Sequence, residues 1–300
     1  MTDRTEGLLA KAAAGAALSE GDAAALAATT DILTLGMLAD EARRRKHGAD
    51  TTYVRVADVT LPLAAGSLDI PPAAREVRVT ADAGSIATSL KALRDVVMAA
   101  GTVPVSAFSL ADLQAHARAS GTPLADLLRA MRHAGVASVA EAPIDALDEA
   151  ESALEAVREA GLGLARLTVQ RQADAPSRVA LITRAAELQH ALGWLASFAP
   201  LPRSWSAVSP TTGYEDVRQV ALARLLADNI PSIQVDWARY GPKLAQVALT
   251  VGADDLDGVP AVDDESEGRR RATLEEVRRN IQAAALVPVE RDGAYGRIGG

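Results

Sequence analysis

V-G-A-D-D-L-D-G, residues Val251 to Gly258, is the most residue-specific passage of a 300-residue chain otherwise rich in alanine, leucine, valine and charge. D-N-I-P-S-I-Q-V-D-W precedes it at Asp228–Trp237. Ile230–Val235 reads as a strand, and Pro242–Val251 as a helix with Leu244, Val247, Ala248 and Val251 on its inward side. Asp254, Asp255 and Asp257 therefore follow a complete strand–helix unit. Read alone they form a metal or acid–base cluster; the plainer expectation is a loop in which the aspartates cap and Gly252 and Gly258 supply permissive dihedrals, closing the rim of the domain.

Working outward, the same rhythm recurs. Thr52–Val56 and Arg75–Thr80 read as strands on either side of Pro71-Pro72. A helix at Ser85–Ala99 leads to a strand at Val103–Phe108. Two helices follow, opened by Ser109 and by Thr122-Pro123, with Pro123 expected at the first helical position. Strands at Val136–Val139, Leu162–Val169 and Trp194–Phe198 alternate with helices at Ala146–Ala160, Pro176–Leu192 and Tyr214–Ala227, and Pro200–Pro210 is a connection. Thr273 with Glu276 gives a capping-box start for a last helix, after an exposed acidic loop at Asp263–Glu267. Strands alternating with helices imply parallel pairing through right-handed crossovers. About seven strands with no dinucleotide or phosphate-loop fingerprint favour a barrel over an open sheet.

The fold expected is α/β, a partial or distorted TIM-type (β/α) barrel over residues 51–300, closed by a C-terminal helical segment. Residues 1–50 form a helical N-terminal extension, in which Ser19 and Asp22 suggest a capping box and Ile32, Leu35, Leu38 and Ala42 share a face until Gly48.

Composition limits the functions. A hydrophobic fraction of 49% is ample for a core. Lys and Arg total 31 against 39 Asp and Glu, a net charge of -8, so nucleic-acid binding is not expected. The one basic run, Arg43-Arg44-Arg45-Lys46, reads as the solvated face of a helix. The polar N-terminus and the lack of an apolar run of ~20 residues argue against secretion and membrane insertion, leaving a cytoplasmic protein as the expectation. No cysteine is present, which excludes thiolate metal sites and cysteine nucleophiles. His47, His116, His133 and His190 show no ligand spacing, so no metal site is expected.

Four segments carry a family resemblance: L-G-M-L-A-D-E-A-R-R-R-K-H-G (Leu35–Gly48), A-L-A-R-L-L-A-D-N-I-P-S-I-Q-V-D-W (Ala221–Trp237), G-P-K-L-A-Q-V-A-L-T-V-G-A-D-D-L-D-G (Gly241–Gly258) and P-V-E-R-D-G-A-Y (Pro288–Tyr295). In order along the chain, they resemble the radical S-adenosylmethionine enzymes of the futalosine route to menaquinone, of the aminofutalosine synthase and cyclic dehypoxanthine futalosine synthase type, with the FO synthase group related. The resemblance implies a TIM-type barrel with a helical extension. It also implies a C-x-x-x-C-x-x-C loop after the first strand, whose thiolates hold a [4Fe–4S] cluster for S-adenosylmethionine. Here that segment, Asp58–Pro72, offers only Asp58, Thr60, Ser67 and Asp69.

The family's glycine pair after the second strand is replaced by T-A-D-A-G-S (Thr80–Ser85). A-E-A-P-I-D-A-L (Ala140–Leu147) and Q-R-Q-A-D-A-P (Gln170–Pro176) replace its segments after the fourth and fifth strands. Neither a cluster nor bound S-adenosylmethionine is expected. The reading that follows is a pseudoenzyme, a partner or regulator of a catalytic homologue or of another copy of itself, with a nucleoside-like ligand. A non-radical lyase, isomerase or hydrolase using the same cavity is the alternative. Its ligand-binding residues are expected at the barrel mouth: Trp237 and Arg239 after the strand Ile230–Val235, Asp254 and Asp255 on the rim, and Arg203, Trp205 and Tyr214, which together suit a planar anionic ligand through guanidinium pairing and stacking.

Overall fold

A computed structural model of the chain describes residues 3–16, 18–63, 68–81, 85–204, 212–262 and 273–298. Three helices come first, α1 (Asp3–Ala14), α2 (Glu20–Ala28) and α3 (Ile32–His47). Ser19 closes the expected capping box with Asp22, and Asp31 caps α3 by accepting from Leu33 and Thr34. Strands and helices then alternate: β1 (Asp50–Leu61), β2 (Glu76–Ala81), α4 (Ile86–Ala100), β3 (Val105–Ser109), α5 (Leu110–Ser120), α6 (Leu124–Ala134), β4 (Ser138–Pro143), α7 (Ala150–Glu159), β5 (Gly163–Leu164), β6 (Leu167–Arg171), α8 (Ala175–Leu192), β7 (Ser197–Ser204), α9 (Gly213–Leu226), β8 (Ser232–Asp236), α10 (Trp237–Leu249), β9 (Asp255–Pro260), α11 (Thr273–Ala283) and β10 (Val287–Glu290).

All strand pairs are parallel, and the ring runs β1-β2-β3-β4-β6-β7-β8-β9 with β9 returning to β1, a closed eight-stranded barrel surrounded by helices. β5 continues the β6 position on β4. Tyr53 of β1 faces Leu256 of β9 on one side and Glu290 of β10 on the other, so β10 lies beside the first residues of β1, on the edge that β2 takes up further along.

Val251–Gly258 is the main departure from the expected fold. Asp255–Pro260 is the eighth barrel strand, where a rim-closing loop was expected, and it bonds to both β8 and β1. Asp255 and Asp257 point inward and Leu256 outward, so the strand alternates with its polar side toward the barrel axis. The Pro200–Pro210 connection also differs, since β7 continues through Pro200 and Pro202 to Ser204. Its register against β6 jumps from Thr168–Ala199 to Val169–Pro202, a bulge that takes up residues without an N–H to donate. Pro123 precedes α6 as its cap residue. α10 begins at Trp237, one turn before a kink at Gly241 (φ 74°) and Pro242. Thr273 and Glu276 lie within α11. The acidic loop at 263–267 falls outside the described residues.

The apolar core fills the shell between strands and helices. Val77 and Val79 of β2, Val139 of β4 and Ile233 of β8 bury against Ile86 and Leu93 of α4, Leu128 and Met131 of α6 and Leu188 of α8. α3 packs along α9, with Arg45 paired to Asp228 at 2.6 Å and Gly36 against Val251. The basic run of α3 is consumed in ion pairs: Arg43 and Arg44 hold Asp40, while Arg45 and Lys46 meet Asp228. No helix among the described residues is long and apolar enough to cross a membrane.

Candidate functional site

The three aspartates of the opening stretch go to different arginines, Asp254 and Asp255 to one each and Asp257 to two. Asp254, one residue before β9, accepts from Arg224 of α9, from Ser232 Oγ at 2.8 Å and from the Ile233 amide at 2.8 Å, outside the barrel. Asp255 takes a bidentate pair from Arg291 (2.6 and 2.7 Å), with Thr52 and Gln234 adding donors at 2.5 and 2.7 Å. Arg291 also lies over the Tyr295 ring at 4.2 Å. The Tyr295 hydroxyl reaches Ser197 and the Ala165 carbonyl, and burial pushes it up to about 12.

Asp257 belongs to a closed ring of four charges in the barrel interior. Arg78 donates to Glu76 (3.0 and 3.2 Å) and to Asp257 (2.7 Å); Arg166 donates to Asp257 (2.6 Å) and to Glu76 (3.0 Å). Ser106 adds a bond to Glu76 at 2.6 Å. Burial alone would raise both acids, but the two guanidiniums more than offset it and hold both carboxyls below their ordinary values.

Above the ring a cavity of about 520 Å³ opens at the C-terminal ends of the strands, where active sites of parallel barrels gather. Arg203 clasps Glu141 (2.9 Å) and Asp236 (2.5 Å) across its wall. Burial would raise Glu141, and Arg203 and Arg166 hold it below its usual value. Gly258 is required beside this clasp: its φ is 67°, and a Cβ there would meet Asp236 Oδ1 at 2.9 Å. Phe108, buried at the end of β3, lines the wall with a left-handed φ of 58°, a conformation a phenylalanine seldom adopts.

Asp58 of β1 and Asp112 of α5 also face this space, and neither makes a hydrogen bond or ion pair among the described residues. Surrounding protein raises Asp58, with Arg78 across the strand pair opposing and Asp257 and Glu76 reinforcing. Burial, with Glu141 nearby, raises Asp112.

Of the residues expected at the mouth, the structure brings together Arg203 and Arg239, whose guanidinium donates to the Arg203 carbonyl at 2.6 Å. Trp237 is buried at the start of α10 and does not line the cavity. Asp254 and Asp255 lie away from it because arginines on other elements engage them. Tyr214 is on the outer surface, its hydroxyl donating to the Thr30 carbonyl at 2.7 Å. Trp205 is outside the described residues. Sequence reasoning missed Arg78, Arg166, Glu141, Asp112 and Asp236 as site residues and weighed Asp58 only as a cluster ligand. The available signal was a charged residue at the inward phase of a strand, as in Glu76-Val77-Arg78-Val79.

Residues 199–298 match the family described as the CofH/MqnC C-terminal region. The aminodeoxyfutalosine synthase of Thermus thermophilus is 27% identical over 347 aligned positions, covering 95% of this chain and 93% of the relative. That span is longer than the part of this chain it covers, so the relative carries segments this chain lacks. The 5-amino-6-(D-ribitylamino)uracil–L-tyrosine 4-hydroxyphenyl transferase of Archaeoglobus fulgidus is 27% identical over 69% of this chain and 67% of its own length. Among solved structures, methylornithine synthase superposes with a TM-score of 0.67 at 11% identity, covering 94% of this chain and 97% of that one, a likeness of fold. The chain is thus a cysteine-free homologue of the aminodeoxyfutalosine synthase and the tyrosine 4-hydroxyphenyl transferase, and its C-terminal third carries the CofH/MqnC C-terminal region.

Proposed function

We propose that this protein is a cluster-free member of its family whose barrel mouth binds a small polar molecule, and that it serves as partner or regulator of a catalytic homologue. The observation that carries the reading is the donor set behind β1. The family's cluster requires three thiolates, and the chain has no cysteine. Behind Asp58, Thr60 is engaged with Thr80 at 3.2 Å and Asp69 offers a hard oxygen, a poor match for a cluster that prefers soft sulfur. The residues present do not fit the group. Among the described residues, no three His, Asp or Glu side chains are grouped to hold a metal ion.

Anaerobic reconstitution with ferrous iron and sulfide tests this. The expected result is background iron and no sulfide-to-iron charge-transfer absorption; one cluster per chain would overturn the proposal. Mixing with a catalytic homologue, followed by size exclusion and activity measurement, tests the partner role, and neither co-elution nor a change in rate would refute it.

A second reading, an enzyme of acid–base chemistry, is favoured by Asp58 in particular. Its carboxyl has no hydrogen-bond or ion-pair partner among the described residues, faces the cavity and is raised by its surroundings, as suits a group that exchanges protons. That reading expects turnover without iron or reductant and its loss in Asp58→Asn.

A further inference from the structure

We propose that the barrel mouth selects a cationic, donor-rich group of the amidinium or guanidinium type, and that Asp58 and Asp112 are the carboxylates that receive it. The proposal rests on the reading of the mouth as a ligand site and adds the chemistry of the ligand. It reverses the expectation of an anionic ligand drawn from Arg203 and its neighbours.

The reversal follows from which charges are already engaged. Arg203 is the arginine placed to meet an anion, but Glu141 and Asp236 hold it on both sides. Arg78 reaches the floor of the cavity but is committed to Glu76 and Asp257. Arg239 is tied to the Arg203 carbonyl, with Asp236 at 3.8 Å. An incoming carboxylate would have to displace one of these acids and leave it desolvated, a costly exchange.

The acids are not equally engaged. Around and directly beneath the cavity stand Asp58, Asp112, Glu141 and Asp236, with Glu76 and Asp257 below. The cations are Arg78, Arg166, Arg203 and Arg239. Among the described residues, the carboxylates exceed the guanidiniums by two, and two acids, Asp58 and Asp112, lack a partner. They come from different elements, β1 and α5, and face one space.

Two features make this more than an acidic patch. The cavity is concave, and at about 520 Å³ it is within the range of small-molecule sites. Its lining includes the apolar residues Ala81, Phe108 and Ala140, against which a planar body can lie while its cationic end reaches the carboxylates. The low polarizability of that wall strengthens a charge-assisted hydrogen bond formed there.

Benzamidine, benzamide and benzoate share one shape and carry positive, neutral and negative charge. Titrated calorimetrically into the full chain, benzamidine is expected to bind saturably, benzamide weakly and benzoate not at all, with benzamidine affinity falling as salt is raised. Asp58→Asn and Asp112→Asn should each weaken benzamidine about tenfold, the loss of one charge-assisted contact, with the circular dichroism spectrum unchanged. Benzoate binding as tightly as benzamidine would overturn the proposal, as would no binding of any of the three, or benzamidine affinity indifferent to both substitutions. An iron–sulfur cluster on reconstitution would defeat the cluster-free reading instead. The order of the three probes reports on charge selection alone, so the two failures are distinguishable.

Discussion

The floor of the barrel and its mouth are built from the same residue types and differ in how completely they are paired. On the floor, Glu76, Arg78, Arg166 and Asp257 close a ring in which each carboxylate meets two guanidiniums. At the mouth, Arg203 satisfies Glu141 and Asp236 while Asp58 and Asp112 have no hydrogen-bond or ion-pair partner among the described residues. Among the described residues each charge of the ring is paired where the barrel is closed, and pairing is incomplete where it opens, so the floor charges act on stability, and the mouth charges are those to which the proposal gives recognition.

Breaking the floor should have the largest effect. Arg166→Met leaves Glu76 and Asp257 buried with Arg78 alone, and an uncompensated buried charge costs about 3–5 kcal/mol. Denaturant unfolding should show this as a lower midpoint; a loss below about 1 kcal/mol, the range of exposed pairs, would place the ring with the mouth. Gly258→Ala attacks the joint between the two regions. A side chain at φ 67° against Asp236 should cost about 1–3 kcal/mol, read as a fall in Tm.

Acid separates the regions by sign. Glu76 and Asp257 have folded pKa values below their ordinary 4.5 and 3.8, so their contribution is fully present above that range and is lost as pH falls through it toward the depressed values. Asp58 and Asp112 are raised, so their ionisation in the folded state opposes stability above their folded pKa values and ceases to do so below 3.8. Asp58→Asn should therefore raise stability slightly at pH 7, by no more than about 0.5 kcal/mol because the carboxyl opens to solvent. The difference from the parent should vanish in acid. A variant less stable than the parent at pH 7 would assign Asp58 to the paired set.

The same division explains what was legible in the sequence. Helices and most strands could be read because their apolar faces look into the shell between the two layers, as with Leu128 and Met131 of α6 or Val77 and Val79 of β2. β9 could not: its inward face is Asp255 and Asp257, so Asp-Leu-Asp looks like a loop until the barrel interior is known to be ionic. β7 was cut short by reading its prolines as breakers, whereas a bulge absorbs them. The site was less legible than the fold. Arg78 meets Asp257 across 179 positions and Arg166 meets Glu76 across 90, separations at which no local pattern marks a partner. The missing thiols, by contrast, were plain from composition alone.

The most direct test of the division between paired floor and unpaired mouth is a carbon-detected NMR titration of the side-chain carboxyls, with Asp58, Asp112 and Asp257 assigned by difference from their Asn variants. Asp58 and Asp112 are expected to titrate above the ordinary aspartate value of 3.8, and Asp257 well below it. Asp58 titrating below 3.8 together with Asp257 would mean that the mouth is paired like the floor, and would contradict the account.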